Sequence, residues 1–234
     1  MGELYISIII PVYNEYENLD QLFNRLDLFQ NQCEVIFVDG GSQDHTLEAI
    51  EGRGYKGILS PKKGRASQMN FGASMAKGDV LWFLHGDSIP PVDALDQIAN
   101  VLARSYEVGC FRLKFNSKHP YMFICGYQSN NRVRLRNIAF GDQGIFIKRK
   151  LFEKIGGYAD IPLMEDYQLS IDIKQLGLKI GLASSKIITS ERRFIAGGRL
   201  RTVWWMQVLQ YKFRRGDDIE EIAKAYEEIK RKGK

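Results

Sequence analysis

Hydrophobic positions follow two alternating rhythms through the first half of the chain. Residues 5–12 are an almost continuous apolar run, rich in isoleucine and valine. A strand without polar alternation is buried on both faces, as in a parallel sheet. Leu19, Leu22, Phe23 and Leu26 then fall at i, i+3, i+4 and i+7, which predicts a helix. Asn14, with Glu17 three residues on, predicts a capping box before it. The alternation repeats with a strand at 34–38 that ends at Asp39, a turn at Gly40-Gly41 and a short helix carrying Leu47 and Ile50. A third strand is predicted at 56–60. The next helix places Met69, Gly72, Ala73 and Ala76 on one face, where small residues allow close approach to a sheet. Residues 80–84 form a fourth buried strand, and Pro90-Pro91 open a helix with Leu95, Ile98 and Leu102 inward.

Beyond residue 110 the pattern loosens. Phe111, Leu113 and Phe115 alternate with Arg112 and Lys114, which predicts a half-exposed antiparallel strand, and 144–148 reads as another. A helix over 165–176 places Leu169, Ile173 and Leu176 on one face. Two helical segments, 202–214 and 218–232, close the chain around a break at Gly216-Asp217-Asp218.

This order predicts an α/β fold. A central, mostly parallel sheet is flanked by helices, with antiparallel strands in the second half and helices at the C-terminus. Ligands bind such sheets beyond the carboxyl ends of the strands. Three strands end there in polar signatures: Tyr13-Asn14-Glu15, Asp39-Gly40-Gly41-Ser42 and His85-Gly86-Asp87.

Composition narrows the function. The 234 residues are 44% hydrophobic and 26% charged, which excludes disorder. A chain of this length buries about 70% of its unfolded surface and folds without disulfide or structural metal. The net charge of +5 suits a phosphate-bearing substrate or an anionic membrane surface, and no basic-aromatic block points to nucleic acid. Three cysteines without CxxC spacing fit a reducing compartment. No apolar run approaches the ~18 residues of a membrane span, and residues 1–20 lack a signal-peptide pattern. The expectation is a cytoplasmic protein.

Several residues are candidates for chemistry, each beside a plainer role. Asp87 at a strand end suits Mg²⁺ or Mn²⁺ beside a diphosphate, or a helix cap before Pro90. Asp39 suits a nucleobase or ribose hydroxyl, or a turn. Glu15 faces the same edge, or supports a helix dipole. Lys62, Lys63 and Arg65 precede a helix and suit an anion, or a solvated loop. Glu165-Asp166 opens a helix after Pro162-Leu163-Met164 and suits a general base, or a cap. Arg192-Arg193 suits a leaving diphosphate, or a basic surface loop. His45, His85 and His119 have no metal-ligand spacing. No GxSxG, GxxxxGK[ST] or GxGxxG motif occurs at a strand end, which argues against a serine hydrolase, a P-loop NTPase and a dinucleotide enzyme.

Taken in order, Pro11-Val12-Tyr13-Asn14-Glu15, Val38-Asp39-Gly40-Gly41-Ser42-Gln43-Asp44, Gly78-Asp79 and a strand ending in xxD resemble the family-2 glycosyltransferases. The resemblance spans about residues 5–195. Phe83-Leu84-His85-Gly86-Asp87-Ser88, Gly141-Asp142-Gln143-Gly144-Ile145-Phe146, Pro162-Leu163-Met164-Glu165-Asp166 and Thr189-Ser190-Glu191-Arg192-Arg193 are similar to the arsenosugar-biosynthesis-type subgroup. The resemblance implies a GT-A fold over residues 1–200. A nucleotide-sugar half covers about 1–108 and an acceptor half about 109–200, with a C-terminal helical extension at 201–234. It implies an inverting, metal-dependent transfer of a sugar from a nucleotide-sugar, with UDP the family's commonest nucleotide, to an acceptor hydroxyl. Pro11, Tyr13, Glu15, Asp39, Gly41, Arg65, His85 and Gly86 would line the donor site. Asp87 would hold the metal. Asp166 would be the general base, with Glu165 in support. Arg192 and Arg193 would lie near the diphosphate. Two positions depart from the pattern: His85 stands where the first Asp of DxD usually stands, and Phe194 replaces a Trp.

Residues 203–215 predict a helix with Gln207, Gln210 and Arg214 on a narrow polar stripe. Its wide apolar face suits burial against the core or a second copy, or contact with the inner face of a membrane. Two other function classes compete with the transferase. A nucleotidyltransferase usually carries a Gly-rich loop with Arg where this chain reads Tyr13-Asn14-Glu15-Tyr16. A non-catalytic binding module would have no use for both Asp87 and Asp166.

Overall fold

The computed structural model describes residues 4–231, without the side chains of residues 193, 230 and 231. Eight strands form one sheet: β1 (Ile6–Val12), β2 (Glu34–Asp39), β3 (Lys56–Leu59), β4 (Val80–Phe83), β5 (Ser88–Ile89), β6 (Val108–Phe115), β7 (Phe146–Lys148) and β8 (Ile180–Thr189). Their spatial order is β3-β2-β1-β4-β7-β6-β8-β5. The first four in that order pair in parallel. β7 is antiparallel to both β4 and β6, β6 is parallel to β8, and β5 is antiparallel to β8. The flanking helices are α1 (Leu19–Leu26), α2 (Thr46–Gly52), α3 (Arg65–Met75), α4 (Ala94–Ala103), α5 (Pro120–Arg136), α6 (Arg149–Ile155), α7 (Glu165–Gln175), α8 (Arg192–Ala196), α9 (Arg199–Arg215) and α10 (Ile219–Arg231).

The apolar run of β1 is buried on both faces. Ile8, Ile10 and Val12 join one core layer with Leu22, Phe23 and Leu26 of α1. Ile9 joins the opposite layer with Ala66, Met69 and Ala73 of α3. Gly72 lets α3 lie close to the sheet: a Cβ there would stand 2.5 Å from Ile9 Cγ2 and 2.8 Å from Val38 Cγ2.

Several local expectations are corrected. Asn14 caps no helix. It adopts φ 52°, and α1 begins only at Leu19, after a 3-10 turn over Tyr16–Asn18. Asn14 instead bonds to the loop after β2, donating its amide to Ser42 Oγ (2.9 Å) and accepting from Gln43 N (2.8 Å). β6 has the expected alternation, with Phe111, Leu113 and Phe115 buried, but it is antiparallel to β7 only at Val108 and Gly109. Its longer pairing, with β8, is parallel. Leu176 ends α7 exposed rather than inward, because it lies past the last helical turn. In α9 the expected polar stripe does not hold: Gln210 is buried with Leu209, while Trp204 and Tyr211 are exposed.

The two C-terminal helices pack onto the start of α7. Leu209 and Ile222 are buried with Ile138, Met164 and Tyr167, and Phe213 and Tyr226 lie against them. Among the described residues no helix is long and apolar enough to cross a membrane.

The close fit of α3 to the sheet gives a direct expectation. Gly72→Val overpacks this contact and should cost about 1–3 kcal/mol. The check is a lower urea midpoint with an unchanged slope.

Candidate active site

The carboxyl ends of β1 and β2 are tied together before any ligand is considered. Gln68 of α3 is buried and donates from Nε2 to the carbonyls of Val12 (2.9 Å) and Val38 (2.7 Å). Gly40 N also donates to Val12 O, at 2.9 Å. Asp39 ends β2 and is 1% exposed. Its Oδ1 accepts from the amides of Gly41 (2.6 Å) and Ser42 (2.7 Å), as a turn residue would. Its Oδ2 is buried with no hydrogen-bond partner among the described residues. Gly41 adopts φ 86°, a conformation that favours glycine. Tyr13 is exposed beside it, with Lys63 Nζ 5.6 Å from the ring centroid. Pro11 lies within β1, paired with Val38.

Glu15 follows, its amide donating to Thr46 Oγ1 (2.9 Å). Its carboxylate forms an ion pair with Arg192 Nη2 at 3.2 Å. Burial raises the Glu15 pKa above its usual value, against the pull of Arg192. Gly86 packs over this turn, where a Cβ would stand 3.2 Å from Val12 Cγ1.

A cavity of about 120 Å³ opens at this edge. Arg65, His85, Asp87, Glu165 and Asp166 all line it, and Asp142, Phe140, Met206 and Tyr226 are among the other residues of its wall. The structure therefore brings together five residues that are 101 positions apart at their extremes. Pro11, Tyr13, Glu15, Asp39, Gly41 and Gly86 lie on the same sheet edge but not in this cavity. Arg192 reaches that edge through Glu15, and the side chain of Arg193 lies outside the described residues.

Two helices meet at the cavity floor through their first residues. Arg65 Nη1 of α3 lies 3.3 Å from Glu165 Oε1 of α7. Glu165 is 2% exposed, and burial raises its pKa although Arg65 opposes the rise. Burial also works against the Arg65 charge, but Glu165, Asp166 and Asp87 outweigh it and raise the Arg65 pKa. Met164 precedes α7 in the left-handed region, φ 67°, so the chain turns sharply into the site. Asp166 is oriented by two backbone donors: Gly141 N to Oδ2 and Tyr167 N to Oδ1, each 2.7 Å. Gly141 also sits against the His85 imidazole, leaving no room for a Cβ.

Four contributors escape a residue-by-residue reading. Gln68 looks like an ordinary helix residue. Tyr158 is buried behind the carboxylates, its phenol pushed well above the usual range by burial, Asp166 and Glu165. Asp142 lies in the 141–146 stretch that carries the subgroup resemblance, which gives it no role of its own. Tyr226 comes from α10, far outside the motif region.

This geometry can be set against known proteins. Residues 7–156 match Glycosyl transferase family 2. The chain belongs to this family. Glycosyltransferase AglE of Haloferax volcanii is 25% identical over 170 residues, which is 66% of this chain and 56% of AglE. The undecaprenyl-phosphate 4-deoxy-4-formamido-L-arabinose transferase of Aeromonas hydrophila is 31% identical over 114 residues, covering 44% of this chain and 35% of that enzyme. The chain thus spans about half, or less, of these relatives. In fold it resembles mannosyltransferase PcManGT from Pyrobaculum calidifontis, solved with GDP-Man and Mn²⁺. The TM-score is 0.69 at 20% identity, over 93% of this chain and 66% of that one. Staphylococcus aureus TarS 1–349, solved with UDP-GlcNAc, gives 0.66 at 18% identity over 81% of this chain and 59% of that one. The α/β architecture of this family-2 chain is that of GT-A glycosyltransferases.

The raised Glu165 pKa carries a sign. A carboxylate that folding makes harder to ionise contributes stability below its usual value of 4.5, and this is lost as pH climbs through the raised value. Glu165→Gln should therefore flatten the fall in unfolding free energy above pH 4.5, measured by urea titration across the pH range.

Proposed function

We propose that this protein is an inverting, metal-dependent glycosyltransferase that moves a sugar from a UDP-sugar to an acceptor hydroxyl. The observation that carries the reading is the meeting of Asp87, Asp166 and the Arg65–Glu165 pair in one cavity at the carboxyl edge of the parallel strands. Membership of family 2 supports it. The similarity to the arsenosugar-biosynthesis-type subgroup belongs to the same proposal and names no acceptor.

The donor half supplies the nucleotide contacts. An unpartnered carboxylate oxygen on Asp39 accepts from an N–H. Uracil and guanine present a ring N–H on their pairing edge, whereas cytosine offers an acceptor at N3 and a donor only through its exocyclic amino group. Pro11, Tyr13, Glu15, Gly41 and Gly86 form the surrounding edge. His85 suits a ribose or sugar hydroxyl. Arg65, and Arg192 and Arg193 beyond it, suit the phosphates.

No cluster of three His, Cys, Asp or Glu side chains suited to a metal occurs among the described residues. That donor set still fits Mg²⁺ or Mn²⁺ of the kind held by one or two carboxylates together with substrate phosphates. Asp87 is the carboxylate that would hold it. Such an ion, when bound, neutralises charge on a departing diphosphate.

The chain's own part in the reaction is proton transfer. Asp166 takes the acceptor hydroxyl proton as that oxygen attacks the anomeric carbon. The new carbon–oxygen bond forms as the bond to the diphosphate breaks, and the electron pair leaves with the nucleoside diphosphate. The two backbone bonds to Asp166 hold its carboxylate in place, and Glu165 steadies Arg65 beside it.

Calorimetry with UDP, GDP and CMP, each with and without Mn²⁺, tests the donor assignment. UDP should bind in a metal-dependent way, and Asp87→Ala should abolish the metal dependence. Binding of none of the three would overturn the proposal. Asp166→Asn should keep nucleotide affinity and lose about 10²–10⁴-fold in turnover. Unchanged turnover in that variant would remove Asp166 from the base role.

A further inference from the structure

A second cavity, of about 530 Å³, lies between α5 and α9. It shares Phe115, Phe140, Asp142, Phe194 and Met206 with the cavity that holds Asp166. A molecule seated there reaches the proposed base across that common wall.

The electrostatics of this cavity are set by Arg132 of α5. Its guanidinium stacks on Phe140, 3.7 Å from the ring centroid. Nε donates to Ile138 O (3.2 Å) and Nη2 to Gln143 Oε1 (2.9 Å). Both partners are neutral, and Arg132 forms no ion pair within 4.0 Å among the described residues. Gln143 is itself fully buried and fixed to Phe111 O, so the fork has a rigid support. Burial lowers the Arg132 pKa despite the carboxylates of Asp142 and Asp166. A partly desolvated cation whose direct hydrogen-bond partners are neutral is costly even with the Asp142 and Asp166 carboxylates nearby, and an anion at contact relieves the cost. Arg136 lies one turn further along α5, lines the same cavity and is exposed.

We infer that the cavity between α5 and α9 is the acceptor site, and that it takes a hydroxyl-bearing acceptor whose phosphate or carboxylate group is held by Arg132 and Arg136. This rests on the glycosyltransferase reading above and adds the chemical class of the acceptor. The anionic group is distinct from the reacting hydroxyl, because a base such as Asp166 serves a nucleophile that still carries its proton. The wall groups Gln207, Phe140 and Phe194 offer hydrogen bonds and flat apolar faces to the remainder of the molecule.

The test compares matched probes on the full chain. Glycerol 3-phosphate and glycerol are titrated by calorimetry, and vesicles of phosphatidylcholine with and without phosphatidylglycerol are assayed by sedimentation. Proteins are the wild type, Arg132→Gln and Arg136→Ala, with UDP and Mn²⁺ binding measured in each. The expected result is preference for the phosphate-bearing probe over its neutral partner, falling about tenfold or more in both variants, with nucleotide binding unchanged. Preference for glycerol 3-phosphate assigns a soluble acceptor, and preference for phosphatidylglycerol vesicles alone assigns a lipid headgroup. Equal binding of charged and neutral probes, or variants that bind like the wild type, overturns the inference. Arg136 is exposed, so its alanine variant keeps the test valid if Arg132→Gln fails to fold. Failure of the wild type to bind any nucleotide would instead bring down the transferase reading.

Discussion

The ion pair between Arg65 and Glu165 joins the two halves of the molecule where chemistry is expected. Each is the first residue of its helix, so a single 3.3 Å contact brings two helix starts to one point. Arg65 comes from the parallel half and Glu165 from the mixed half. With Glu165 almost wholly buried, loss of Arg65 would strand its carboxylate, at a typical cost of about 3–5 kcal/mol. The pair therefore constrains the position of Asp166, the next residue along α7. It also keeps a cation next to Asp87 and Asp166, which would otherwise repel each other across the cavity.

Around that point, backbone groups do most of the positioning. Gln68 ties the ends of β1 and β2, Asp39 folds the β2 turn onto its own carboxylate, and the Gly141 amide aims Asp166. A buried amide side chain that satisfies two carbonyls leaves strand ends no freedom to fray. A strand edge tied this way is rigid before any ligand arrives, which lowers the ordering cost of binding.

The C-terminal helices are part of the site wall. Leu209 and Ile222 pack beside Met164 and Tyr167, at the entry to α7, and Met206 and Tyr226 reach the cavity. This region lies beyond the segment that matches the family. The matched residues carry β1 to β4 and α5, whereas α7, α9 and α10 lie outside them.

What the amino-acid order determined by itself was local. Continuous apolar runs and 3.6-residue spacing recorded β1, β2, β4 and α1, because these segments bury an apolar face against one sheet. The polar strand ends followed from the same pattern, and with them Asp39, Glu15 and Asp87. The second half was less legible. α5 escaped because its buried positions, Met122, Cys125, Gly126 and Val133, make a sparse apolar stripe, while half-buried Asn130 and Arg132 are held by hydrogen bonds to Leu113, Ile138 and Gln143. β8 escaped because buried and half-exposed positions mix along it, and Asn14 misled because its amide serves a neighbouring loop rather than a helix. Only the tertiary structure decided that Asp87, Asp166 and Arg65 share a cavity and that Gln210 is inside while Trp204 is outside. Periodicity records how much of a segment is covered. It carries no information on which distant segment does the covering, and a site assembled from elements far apart in the chain exists only at that level.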